Sequence, residues 1–197
     1  MKMENMRVAL KTKEVLEKVS ELYAKGERNA ALDLVGETGE QLTERFFQQT
    51  GIGYEKIPQK LIKKLPKTML SFGAKRPDYH LDIGDPFVND EMVVADAKHY
   101  RPTKQGYFTI SEEEIKKYRG LVEYLKDEYE VNTIYVLFAV WVQGTTDKVY
   151  FYQLDQFGDD MLISPTTICD PETGKNNSAV MIKLEDAHQE KVSWQKS

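Results

Sequence analysis

Arg76-Pro77-Asp78-Tyr79-His80-Leu81-Asp82-Ile83 and, after a short break, Glu91-Met92-Val93-Val94-Ala95-Asp96-Ala97-Lys98-His99-Tyr100 decide how this chain folds. The second segment carries an apolar run, β-branched at Val93 and Val94, and reads as a buried or half-buried strand. Gly84-Asp85-Pro86 and Asn89-Asp90 between the segments are turn chemistry, which predicts a hairpin-like return. Pairing symmetric about Phe87 sets Asp78 opposite Asp96, with Lys98 two residues further along the same face. Val93, Ala95 and Ala97 then point the other way, into a core. Two carboxylates and an ammonium gather at one sheet edge.

Facing carboxylates repel and are costly to keep ionised without a cation. An oxygen-rich site of this kind suits Mg²⁺, which keeps several waters and holds a substrate phosphate, with Mn²⁺ as a substitute. The carbonyl of Ala97 is one more candidate oxygen ligand. Lys98 is expected to position or help deprotonate an attacking water, or to balance charge at the transition state. Phosphodiester hydrolysis fits these parts.

Pro77-Asp78, an 18-residue gap, then Asp96-Ala97-Lys98 resembles the signature of the PD-(D/E)XK nuclease superfamily, which includes restriction endonucleases and Holliday-junction resolvases. Gly36-Glu37-Thr38-Gly39-Glu40, followed by Phe46, Phe47 and Gly51, adds to the likeness. Family members often carry a glutamate on the first core helix that completes the metal site, and Glu40 matches that position best, acting directly or through a water. Glu37 and Glu44 are its rivals, since Glu40 and Glu44 share a helical face. The plainer account of all three is a solvated helix surface. The resemblance implies an α/β, restriction-endonuclease-like sandwich: a mixed central sheet of about five strands flanked by helices.

With 197 residues the chain is expected to be one domain with a substantial core. Residues 1–35 form an N-terminal helical extension in this reading. Its single cysteine, Cys169, excludes an internal disulfide framework and a cysteine zinc cluster, and reads as a packed or incidental residue. No apolar leader and no membrane-length run is found, so a cytoplasmic protein is expected. The net charge of −5 argues mildly against a DNA binder, but its distribution matters more. Between residues 55 and 76, Lys56, Lys60, Lys63, Lys64, Lys67, Lys75 and Arg76 face only Glu55. Beside a phosphodiester-cleaving cluster, this is where a duplex backbone would lie, with His80 as a further contact. An ordinary solvated basic surface is the alternative. Asp82 is a second-choice metal ligand, because the register favours Asp78.

In chain order, Met1 to Lys13 reads as a loose basic lead-in and Lys11 to Ala24 as an amphipathic helix. Asn29 to Val35 reads as a short helical piece, Gly36 as a bend, and Glu37 to Thr50 as a longer helix. Lys60 to Leu65 reads as a helical turn, and Met69-Leu70-Ser71-Phe72 as a candidate extra strand. Ser111 caps a helix that opens on Glu112-Glu113-Glu114 and runs to about Tyr129, burying Ile115, Tyr118, Leu121, Val122 and Leu125. Thr133 to Val142 reads as a central strand, and Lys148 to Leu154 as another. Met161-Leu162-Ile163 reads as a candidate edge strand and Val180-Met181-Ile182 as another short strand. Residues 143–197 are the expected region for recognition or dimerisation, with Gln143, Gln153, Asn176 and Asn177 able to read base edges. Trp194 reads as closing a small core.

The leading expectation is a Mg²⁺-dependent DNA endonuclease, a restriction enzyme first. A structure-selective resolvase or a phage or repair nuclease stands close behind, and an RNA nuclease would share the site. Double-stranded DNA is the expected partner, and a two-fold homodimer is the simplest way to cut both strands. No Gly-rich phosphate loop is present, so no nucleotide cofactor is expected. From another class, the rival is an inert nucleic-acid-binding module.

Overall fold

A computed structural model describes residues 2–58, 65–83, 90–101, 103–158, 162–163, 167–169 and 175–194. Among these residues the main sheet has six strands in the order β1-β2-β3-β5-β6-β11, one more than expected. They are β1 Gly53–Lys56, β2 Tyr79–Asp82, β3 Glu91–Tyr100, β5 Thr133–Val142, β6 Lys148–Gln153 and β11 His188–Lys191. β3 and β5 run parallel, and the other pairs are antiparallel. The sheet is therefore mixed. α1 (Lys2–Ala24) packs on α2 (Arg28–Thr50), which covers one face of the sheet. α4 (Glu112–Tyr129) covers the other face. Beside α4 stands a three-stranded sheet in which β10 (Ala179–Lys183) joins β4 (Tyr107–Ser111) to β7 (Leu162–Ile163). A two-residue pair, β8 (Ile168–Cys169) with β9 (Asn176–Asn177), and the short helix α3 (Lys67–Ser71) complete the elements.

Alternation along β3 separates two cores, because successive side chains leave a strand on opposite faces. Met92 and Val94 join Val136, Phe138, Tyr118 and Leu121 beneath α4. Val93 and Ala95 join Phe46, Phe47, Tyr79 and Trp141 beneath α2. Trp194 closes this second core: it stacks on Trp141 at 5.8 Å, and its Nε1 donates to the Thr146 carbonyl at 2.8 Å. Ser111 caps α4 as expected, accepting from the Glu114 N–H at 3.1 Å.

Several local readings are corrected. The lead-in is helical from Lys2, and α2 runs unbroken through Gly36. A helix that packs on a sheet gains enough from its buried face to carry a glycine. Gly39 is more than tolerated: a Cβ there would lie 2.9 Å from the His99 Cβ, so its absence lets α2 close onto β3. Residues 69–71 belong to α3 rather than a strand, and the edge strand is β1, paired to β2. β4 and β11 had no counterpart among the expected strands. The turn about Phe87 and the predicted turn at 60–64 lie outside the described residues. Among the described residues no helix is long and apolar enough to cross a membrane.

Gly120 yields a first prediction. A Cβ at this position would sit 2.2 Å from the Phe72 carbonyl oxygen, and backbone cannot step aside as a flexible side chain can. Alanine favours a helix interior by about 1 kcal/mol over glycine. Gly120→Ala should nevertheless cost about 2–3 kcal/mol, as overpacking does. Chemical denaturation of the two proteins measures it, and a variant as stable as the parent would refute the tight contact.

Candidate active site

The predicted register is the observed one. Tyr79 pairs with Ala95, His80 with Val94 and Leu81 with Val93, which sets Asp78 against Asp96 at the end of β2. Asp78 is fixed at both ends. Its N–H donates to the Ala95 carbonyl at 3.0 Å, and its Oδ2 accepts the Ala97 N–H at 2.8 Å. Ala97 thus turns its backbone toward the carboxylate, beyond the point where β2 stops offering partners. Asp96 is 3% exposed, so both carboxylates stand at the rim of a core rather than in bulk water.

Electrostatics follow from that burial. Desolvation, then the neighbouring Asp96 charge, push the Asp78 carboxyl up to about 7, against the Ala97 N–H and Lys98. Glu40 on α2 adds to the rise, so the acid from the first helix does reach this site electrostatically. Lys98 Nζ lies 2.6 Å from Asp96 Oδ2 and 2.6 Å from Glu114 Oε1. Burial alone would lower this lysine, but Asp96 and Glu114 hold it above its ordinary range. Its two carboxylate partners favour the charged form. A charged ammonium held this way suits positioning and charge balance among the roles expected of Lys98.

Glu114 was not among the expected site residues. It stands at the third position of α4, and the cap at Ser111 aims that first turn at the end of β3. Burial would raise its carboxyl, but Lys98 and then Lys75 bring it below the carboxylate range. In the sequence it looked like helix-start chemistry alone. The one available signal was its four-residue spacing to Tyr118, whose Oη lies 3.5 Å from Lys98 Nζ.

The basic stretch divides. Lys56 bridges Glu40 Oε2 at 2.8 Å and Glu44 Oε1 at 2.6 Å, and these partners, against burial, raise it above its usual range. Lys75 Nζ lies 2.9 Å from Glu114 Oε1, 3.6 Å from Asp96 Oδ1 and 4.6 Å from the Tyr118 ring centroid. Both expected phosphate contacts are thus held by carboxylates. Arg76 donates to the Pro58 carbonyl at 3.3 Å, and Lys67 is exposed at the start of α3. Lys60, Lys63 and Lys64 lie outside the described residues. His80 lines an apolar cavity of about 500 Å³ with Arg76, Pro77, Met92 and Val94, next along the face from Asp96. Asp82 is exposed at the far end of β2, away from the cluster. His99 is buried under α2, and burial lowers its pKa.

The donor set can be tested against a hard cation. Among the described residues no three His, Cys, Asp or Glu side chains gather as a ready-made cage. Mg²⁺ does not need one, since it binds through one or two carboxylates and keeps its waters. Asp78 and Asp96 are the two carboxylates such an ion would use, and in this structure both oxygens of Asp96 are faced by lysine ammonium groups. Comparison of the chain with protein-family models, curated proteins and solved structures found no match.

Proposed function

We propose that the chain is a divalent-metal-dependent deoxyribonuclease with a restriction-endonuclease-like core, cutting double-stranded DNA. One observation carries the reading: Asp78 meets Asp96 across β2 and β3, with Lys98 salt-bridged to Asp96 on the same face. Three charged residues of the kinds that phosphodiester hydrolysis uses come together from positions 18 and 2 residues apart in sequence.

Asp78 and Asp96 hold the ion in this reading, with the Ala97 carbonyl beside them and Glu40 reaching in directly or through a water. Mg²⁺, when bound, supplies positive charge to a phosphoryl oxygen and acidifies a bound water. Lys98, fixed by Asp96 and Glu114, faces the phosphate as a preorganised cation, which costs no reorganisation as charge develops. One P–O bond forms to water and one breaks. A homodimer would place two such centres on the two strands of a duplex.

Supercoiled plasmid and unmethylated phage-type DNA should be cut into discrete fragments with Mg²⁺ or Mn²⁺ and left intact with chelator. Intact DNA under every metal, together with no calorimetric Mn²⁺ binding, would remove the nuclease reading. Mn²⁺ binding without cutting of either DNA would redirect it to branched DNA or RNA.

A further inference from the structure

Both oxygens of Asp96 are engaged by ammonium groups, and unequally. Oδ2 takes Lys98 at 2.6 Å, while Oδ1 takes Lys75 at 3.6 Å. Lys98 is locked by a second contact of 2.6 Å to Glu114, and its side chain is 19% exposed. Lys75 is more open at 30%, and it arrives from the loop before β2 rather than from the sheet. That loop is seated: the Lys75 N–H donates to the Lys117 carbonyl at 3.4 Å, and Gly120 lets residues 72–74 press on α4. The backbone is therefore fixed while the side chain stays partly open to solvent.

A dication approaching Asp78 and Asp96 needs an oxygen of Asp96. Oδ1 is the oxygen released at lower cost, since its contact with Lys75 is the longer of the two. A turn of Lys75 to solvent also gives up its 2.9 Å contact with Glu114 and its place over the Tyr118 ring. Two like charges on one oxygen repel, so ion and ammonium exclude each other there. We infer that Lys75 is a displaceable counter-ion: it holds the Asp96 Oδ1 position in the metal-free protein and turns to a substrate phosphate once the dication is bound. The inference rests on the nuclease reading. It makes Lys75 a positioning residue that links metal occupancy to DNA affinity.

Mn²⁺ titration by calorimetry, with the full chain and no DNA, separates the possibilities. Lys75→Met should bind Mn²⁺ at least about tenfold more tightly than wild type, because a competing charge is gone. Lys75→Arg, which keeps the charge, should stay within about threefold of wild type. Duplex binding by anisotropy in Ca²⁺ should weaken for Lys75→Met, and its salt slope should fall by about one. Unchanged or weaker Mn²⁺ binding by folded Lys75→Met overturns the inference alone, provided wild type binds and Asp78→Asn does not. Equal tightening by Lys75→Arg overturns it too, since packing rather than charge would be the cause. If wild type binds no Mn²⁺, the inference falls, and the nuclease reading falls with it only if DNA also stays intact under every metal.

Discussion

Lys98→Met should lose metal-dependent DNA cleavage by at least about a hundredfold, and should also unfold more easily by about 3 kcal/mol. The two effects share a cause. The Lys98 ammonium is the shortest contact of both Asp96 and Glu114, and Asp96 is almost wholly out of water. Methionine fills much of the same volume but leaves those carboxylates with Lys75 as their cation and the Tyr118 hydroxyl beside Asp96. Breaking a buried pair from one side costs several kcal/mol, because the remaining charge stays desolvated. Here Lys75 softens the loss, which sets the lower end of that range. Chemical denaturation with and without 1 M salt reads the stability arm. A cleavage time course under excess metal reads the other. Lys98→Arg divides them: it restores charge and can contact both carboxylates, but its planar fork spreads the charge and moves it from the point that the ammonium holds. It should recover most of the stability and little of the activity. A Lys98→Met protein as stable as its parent would mean that Asp96 is neutralised some other way.

The centre of this fold was legible because β2 and β3 carry their own instructions. Apolar residues at 93 and 95 and charged ones at 96 and 98 fix which face is buried, and one slipped residue would bury Lys98 beneath α2. The helix at 112–129 was legible for a similar reason: its cap and its stripe agree. What escaped reading takes its order from a partner. β1 is Gly-Tyr-Glu-Lys and β11 is His-Gln-Glu-Lys, both largely exposed, and each is a strand because a neighbour's backbone groups need pairing. The basic stretch failed differently. Counting charge along residues 55 to 76 omits the acids that folding brings to it from outside. Glu40 and Glu44 come from α2 to meet Lys56, and Glu114 comes from α4 to meet Lys75. A window of sequence sees the donors and not the acceptors.

Asp78→Asn should be more stable than wild type at pH 8 without metal, by about 2–4 kcal/mol, and should lose metal binding and cleavage. Asp78 is raised to about 7 by burial and by Asp96, whereas in the unfolded chain it titrates near the ordinary aspartate value of 3.8. Between those values the folded protein holds the extra proton, so stability falls as pH rises through the window. Above about 7 both states are ionised and the whole penalty is present. Below about 4 both are protonated and it vanishes. Asparagine is neutral throughout, and its carbonyl oxygen can still accept the Ala97 N–H. Its stability should therefore lack this component of the pH slope. A dication reverses the sign for wild type: because it binds the ionised pair, Mn²⁺ affinity should rise with pH up to about 7 and then level. Thermal melts of both proteins from pH 5 to 8.5, with EDTA and with Mn²⁺, give all four curves. Parallel wild-type and Asp78→Asn curves in EDTA would show that Asp78 carries no penalty. This pair of carboxylates would then have no electrostatic strain for a metal to relieve.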